Sequence, residues 1–208
     1  MNRESRQSPT NPREIEFWFE FGSTYSYLSV MRIETMAAER DVTIAWKPFL
    51  LGPIFRSLGW DGSPFATQKA KGDYMWRDMA RQCRRYGLPW KRPGTFPRSA
   101  LLPMRVALIG TAQPWMGQYC RQIMLLNFAD DRDINHPKTV ADVLARLALP
   151  AAEIISEAQA DSNKLRLREQ TAAAEAKGIF GAPTFFVGNE MFWGNDRLEE
   201  ALAFAAAG

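Results

Sequence analysis

Two hydroxyls, those of Ser23 and Ser26 in the stretch FGSTYSYLS (residues 21–29), stand at the spacing of a redox Cys-x-x-Cys pair. Thiol–disulfide exchange needs one thiolate to attack and a second thiol to resolve the mixed disulfide, so Ser-Thr-Tyr-Ser excludes that chemistry at this turn. A serine nucleophile needs a base to activate it. The one histidine, His136, lies far away in DINHPKT, read as a surface loop between helices. With two distant cysteines, Cys83 and Cys120, it gives neither metal-ligand spacing nor a disulfide framework, so no metal is expected. What is left to Ser23 is to cap a helix. Because a helix N-terminus favours anions, it can also donate a hydrogen bond to an anionic group brought from outside. Two other places carry residues suited to binding. One is Ala182-Pro183, where a proline opens a strand. The other is Asn195-Asp196 at the start of the last helix, where Asp196 and Glu199 have the spacing of a capping box.

These residues are positioned by elements that periodicity makes readable. Residues 14–21 alternate Ile15, Phe17, Phe19 and Phe21 with Glu14, Glu16, Trp18 and Glu20, the period of a strand. The period then lengthens: Tyr27, Leu28, Met31, Ile33, Met36 and Ala37 fall on one helical face, with Ser23 or Thr24 as N-cap. VTIAW (42–46) is a second strand ending before Lys47-Pro48, which completes a βαβ unit. From about residue 55 to 165 the pattern is helical, with turn signals between segments. Over 71–86, Met75, Met79, Cys83 and Tyr86 face one way, which makes Cys83 a packing residue, while Arg81, Arg84 and Arg85 form a solvated face. Gly178 stops a helix near residue 176, PTFFV and MFW flank a Gly-Asn turn as a hairpin, and DRLEEALAFAAA closes the chain as a helix. The order βαβ, helices, αββα defines an α/β, thioredoxin-like fold with an inserted all-helical domain. Its divisions are a flexible tail (1–13), a thioredoxin-like domain (14–54 and 166–208) and the helical insertion (55–165).

The 208 residues, 46% of them hydrophobic, suffice for a substantial core without metal or disulfide support. Twenty-six basic residues against 23 acidic ones leave a net charge of +3 and no basic tail, so no nucleic-acid partner is expected. The first residues lack the apolar core of a signal peptide, and no apolar run reaches the roughly 18 to 20 residues of a membrane span. These features predict a cytoplasmic protein without a membrane partner.

FEFGSTYSYLS resembles the first turn of 2-hydroxychromene-2-carboxylate isomerases and kappa-class glutathione transferases, DsbA-like proteins in which serine replaces the first redox cysteine. IFGAPTFFVGNEMFWGNDRL (179–198) resembles the isomerase C-terminal signature, and KGDYMWRDMARQCRRYGLP carries a weaker likeness in the helical region. The resemblance implies glutathione as cofactor, with Ser23 holding its thiolate and thereby serving as the catalytic residue. It implies a cis Pro183 that turns the Ala182 main chain toward the peptide, and contacts from Asn195 and Asp196 to the γ-glutamyl end. Thr24 and Pro183 are counted with the implied glutathione-binding residues, although Thr24 stands where relatives often have proline. Gly59-Trp60 replaces a usual glycine-asparagine pair, so that Trp60 offers only its backbone or an indole wall. The implied activity is a glutathione-dependent cis-trans isomerisation of a small aromatic α-keto acid or its cyclic hemiketal, in a homodimer. The alternatives are a kappa-class transferase that leaves glutathione on the product, a non-catalytic glutathione-binding module, and a disulfide oxidoreductase, which the Ser-Thr-Tyr-Ser turn argues against.

Overall fold

A computed structural model describes residues 13–207; the predicted tail, apart from Arg13, lies outside them. Strands β1 (Glu14–Phe19), β2 (Thr43–Pro48), β3 (Thr184–Val187) and β4 (Glu190–Trp193) form a four-stranded sheet in the order β2-β1-β3-β4. β1 runs parallel to β2, from Glu14 opposite Thr43 to Phe19 opposite Pro48, and antiparallel to β3. β2 is two residues longer at its C-terminal end than predicted. As an edge strand it tolerates the N–H that Pro48 lacks.

Both faces of β1 are covered. Ile15, Phe17 and Phe19 enter the main core, where the Phe17 ring lies 5.1 Å from Phe19, 5.2 Å from Phe185 and 5.4 Å from Trp46. On the other face Trp18 is buried with Phe49, Ile54, Ala174 and Phe186, so this strand has no solvent side beyond its glutamates.

The β1–β2 crossover is two helices, α1 (Thr24–Val30) and α2 (Ile33–Ala38), rather than the single one predicted. The break falls at Arg32. Its Nε takes the Leu28 carbonyl at 3.1 Å while its backbone N–H drops back to Ser29, so the i to i−4 ladder is interrupted. Between β2 and β3 come α3 (Leu51–Ser57), α4 (Pro64–Thr67), α5 (Lys69–Tyr86), α6 (Leu101–Gly110), α7 (Met116–Phe128), α8 (Pro137–Arg146), α9 (Ala151–Gln159) and α10 (Asp161–Ala176). A 3-10 turn (Asn195–Arg197) and α11 (Leu198–Ala207) follow the hairpin. Met75, Met79 and Cys83 of α5 are buried against the same core as the sheet. Gly72 lets α5 approach α4, because a Cβ there would collide with the Phe65 carbonyl. Among the described residues no helix is long and apolar enough to cross a membrane.

Candidate active site

β1 leads into a tight turn in which the Ser23 N–H donates to the Glu20 carbonyl at 3.1 Å. Gly22 eases the close approach in this turn, since a Cβ there would lie 3.1 Å from the Arg98 carbonyl. Ser23 is the N-cap of α1, its Oγ accepting from the Ser26 N–H at 3.2 Å. That bond fixes the oxygen as acceptor and leaves its proton to donate, which it does to the Ala182 carbonyl at 2.9 Å. Ser26 is fully buried, and its hydroxyl finds no partner among the described residues. Of the two hydroxyls, therefore, Ser23 is the one that lines the cleft.

The Ala182-Pro183 peptide is cis, and the Ala182 N–H takes no partner among the described residues. Nearby, buried Asn195 receives the Arg32 Nη2 at 2.8 Å and the Ser29 hydroxyl at 3.2 Å on its Oδ1. An arginine can only donate, so the amide orientation is fixed and Nδ2 is the atom left to donate elsewhere. The Arg32 guanidinium lies over the Tyr86 ring at 3.9 Å and pairs with Glu199 at 3.6 Å. The predicted capping box does not form. Asp196 falls inside the 3-10 turn and pairs with Arg197 at 3.7 Å, while Glu199 is drawn to Arg32. Gly194, at φ +110°, allows the Asp196 carboxylate to fold back over it.

These residues line a cleft of about 990 Å³, the upper end of the size common for small-molecule sites. Its far wall is aromatic. Tyr25 packs against Phe65 at 5.9 Å, Phe55 against Trp60 at 5.6 Å and Phe180 against Trp193 at 4.7 Å. Trp60 is 42% exposed, and its backbone N–H is used on the Phe55 carbonyl at 2.8 Å, so it offers the cleft its indole. The Thr24 hydroxyl is turned inward onto the Met75 sulfur at 3.2 Å; as first residue of α1 it occupies a position that proline also suits.

Four carboxyls line the cleft. Asp78 accepts from the Tyr25 hydroxyl and pairs with Arg81, and Asp196 and Glu199 have their arginines. Glu20 has the Leu51 backbone N–H, and loss of water pushes its carboxyl up to about 7 against that bond. Of the cations, Arg98 is spent on Asp131, Asn127 and the Arg132 carbonyl, whereas Lys71 and Arg85 have no acidic partner among the described residues.

Cys83 and Cys120 lie outside the cleft, both buried. Burial pushes the Cys83 thiol up to about 12 and Cys120 well above the ordinary thiol value. His136 is exposed, as predicted, and also caps α8, its Nδ1 accepting from the Lys138 N–H at 3.2 Å. Among the described residues no group of three potential metal ligands gathers. Glu20, Arg32 and the Phe96–Ser99 segment escaped the sequence reading. For Glu20 the available signal was a carboxyl closing an otherwise buried strand three residues before Ser23. For Arg32 it was a cation amid the apolar face of a helix.

A sheet of this order, with helices on both faces and a cis-proline loop facing a helix N-cap, defines a thioredoxin-type protein. The chain belongs to the DSBA-like thioredoxin domain family, which it matches over residues 14–204. It is 28% identical over 184 residues to 2-hydroxychromene-2-carboxylate isomerase of Pseudomonas putida, covering 88% of this chain and 90% of that one. It is 25% identical over 210 residues to glutathione S-transferase kappa 2 of Caenorhabditis elegans, covering 94% and 93%. Among solved structures, a 2-hydroxychromene-2-carboxylate isomerase superposes with a TM-score of 0.81 at 26% identity, covering 89% and 90% of the two chains.

Proposed function

We propose that the chain is a glutathione-dependent isomerase of a small aromatic acid of the 2-hydroxychromene-2-carboxylate type. The observation that carries this reading is the Ser23 hydroxyl, a fixed donor on the floor of the aromatic cleft where a redox protein would place a thiol. The cleft fits a tripeptide by its polar end: the Ala182 N–H without a partner, the oriented Asn195 amide and the Asp196 carboxylate suit an extended peptide with an ammonium and carboxylates. Glutathione, when bound, supplies a thiolate whose reversible addition turns a conjugated double bond into a rotatable single one. Ser23 swings its proton from the Ala182 carbonyl to that sulfur and lowers the thiol's pKa. The Tyr25, Phe65 and Trp60 rings hold the aromatic part of the substrate, and Lys71 and Arg85 take its carboxylate. The buried thiols suit a cytoplasmic, reducing setting, and the assembly is a homodimer.

A kappa-type transferase would share every one of these contacts and differ in leaving glutathione on the product. Product mass spectrometry decides: an isomer of unchanged mass supports the isomerase, and a glutathione adduct overturns it. Ser23→Ala should cost at most the roughly 0.5 to 2 kcal/mol of a lost cap. By removing a hydrogen bond to a charged sulfur worth roughly 1.5 to 3 kcal/mol, it should raise the bound thiol's pKa by about one to two units. Ultraviolet titration of bound glutathione reads this directly, and an unchanged pKa removes Ser23 from its role.

A further inference from the structure

Forming a thiolate in this cleft displaces a proton, and the Ser23 hydroxyl, a donor to the sulfur, cannot receive it. No histidine lies in the cleft, and the Asp78, Asp196 and Glu199 carboxyls are each already engaged by an arginine. Glu20 is different. It lines the same cleft, is hydrogen-bonded to Ser23 through the backbone, and has its carboxyl oxygen 3.9 Å from where a Gly22 Cβ would stand. Among the described residues the neighbouring elements bring it no counter-charge: α3 gives the Leu51 N–H, and Arg98 of the facing segment is spent on Asp131.

Resting on the glutathione reading above, we propose that the Glu20 carboxylate takes the proton of the bound thiol and returns it at the end of the cycle. The sulfur–hydrogen bond breaks, its electron pair stays on sulfur, and an oxygen–hydrogen bond forms on Glu20; the reverse transfer restores both groups. Desolvation places the carboxyl near neutrality, where the two forms are close in energy and proton exchange is fastest.

The test needs no substrate. Infrared difference spectra of the whole protein at about pH 8 should show a protonated-carboxyl band growing when glutathione is added. That band should be absent in Glu20→Gln and absent when S-methyl glutathione, which has no thiol proton, is added instead. Equal spectra with the two ligands, or a band that survives in Glu20→Gln, would overturn the assignment while leaving glutathione binding intact. If calorimetry shows no glutathione binding to the unaltered protein, the underlying reading falls and this proposal with it. In turnover, Glu20→Gln should lose at least roughly a hundredfold in kcat together with the limb of the pH profile near neutrality, and Glu20→Asp should restore the limb.

Discussion

Glu20, half-buried in the wall of the cleft just past β1, loses hydration on folding, and the cost falls on its ionised form. The unfolded carboxyl titrates at 4.5 and the folded one at about 7, so the native state binds the proton more tightly. Stability is complete below the unfolded value, declines as pH rises between the two, and is lower by on the order of 3 kcal/mol above the folded value. Glu20→Gln carries no such penalty. Urea unfolding should therefore give similar stabilities for the two proteins at about pH 4 and a clear advantage to the glutamine variant at about pH 8; parallel curves would mean that the carboxyl is hydrated. That Ser23, Ala182 and Asn195 line one cleft follows local patterns and a family resemblance readable in sequence: a cap, a proline opening a strand, a helix start. Glu20 and Arg32 act through burial and through partners on remote segments, Asn195 lying 163 residues from Arg32. No local pattern carries that information.

The elements were legible wherever hydrophobic period decided them: β1, α5, the β3–β4 hairpin and the stop at Gly178. They were misjudged wherever a side chain competed with the backbone, as at the Arg32 break, or where a tertiary ion pair overrode a local motif, as at Asp196 and Glu199. The junction of α4 and α5 shows how much a single atom decides at this scale. Alanine is the better helix former by roughly 1 kcal/mol, yet Gly72→Ala forces α4 away from α5. The variant should lose about 1 to 3 kcal/mol net. Because α4 carries Phe65, which packs on Tyr25, the proposed function predicts that the KM for an aromatic substrate rises while glutathione affinity holds. Gly52 of α3, whose nearest foreign atom is the Arg56 guanidinium at 3.7 Å, is the control: alanine there should be tolerated. Equal costs at the two glycines would show that the α4–α5 approach is not tight.

At the scale of the whole molecule, one core joins the sheet to α5 and α7 and encloses both cysteines, Cys83 at 1% and Cys120 at 0% exposure. With burial holding both thiols protonated, alkylating reagents should reach neither until that core opens. The two should then label together at the rate of global unfolding, and Cys83 labelling well ahead of Cys120 would reveal that the α4–α5 flank opens by itself. The seclusion of these two sulfurs has a consequence for life in a cell. A catalyst that works with a borrowed thiol spends its existence among glutathione and its disulfide, the mixture that forms adducts on accessible cysteines. This chain presents no such target, and its working turn has no sulfur to oxidise. On the proposed function its rate follows the supply of substrate and reduced glutathione, and a burst of oxidant that would pair the two cysteines of a dithiol relative finds no thiol in its working turn.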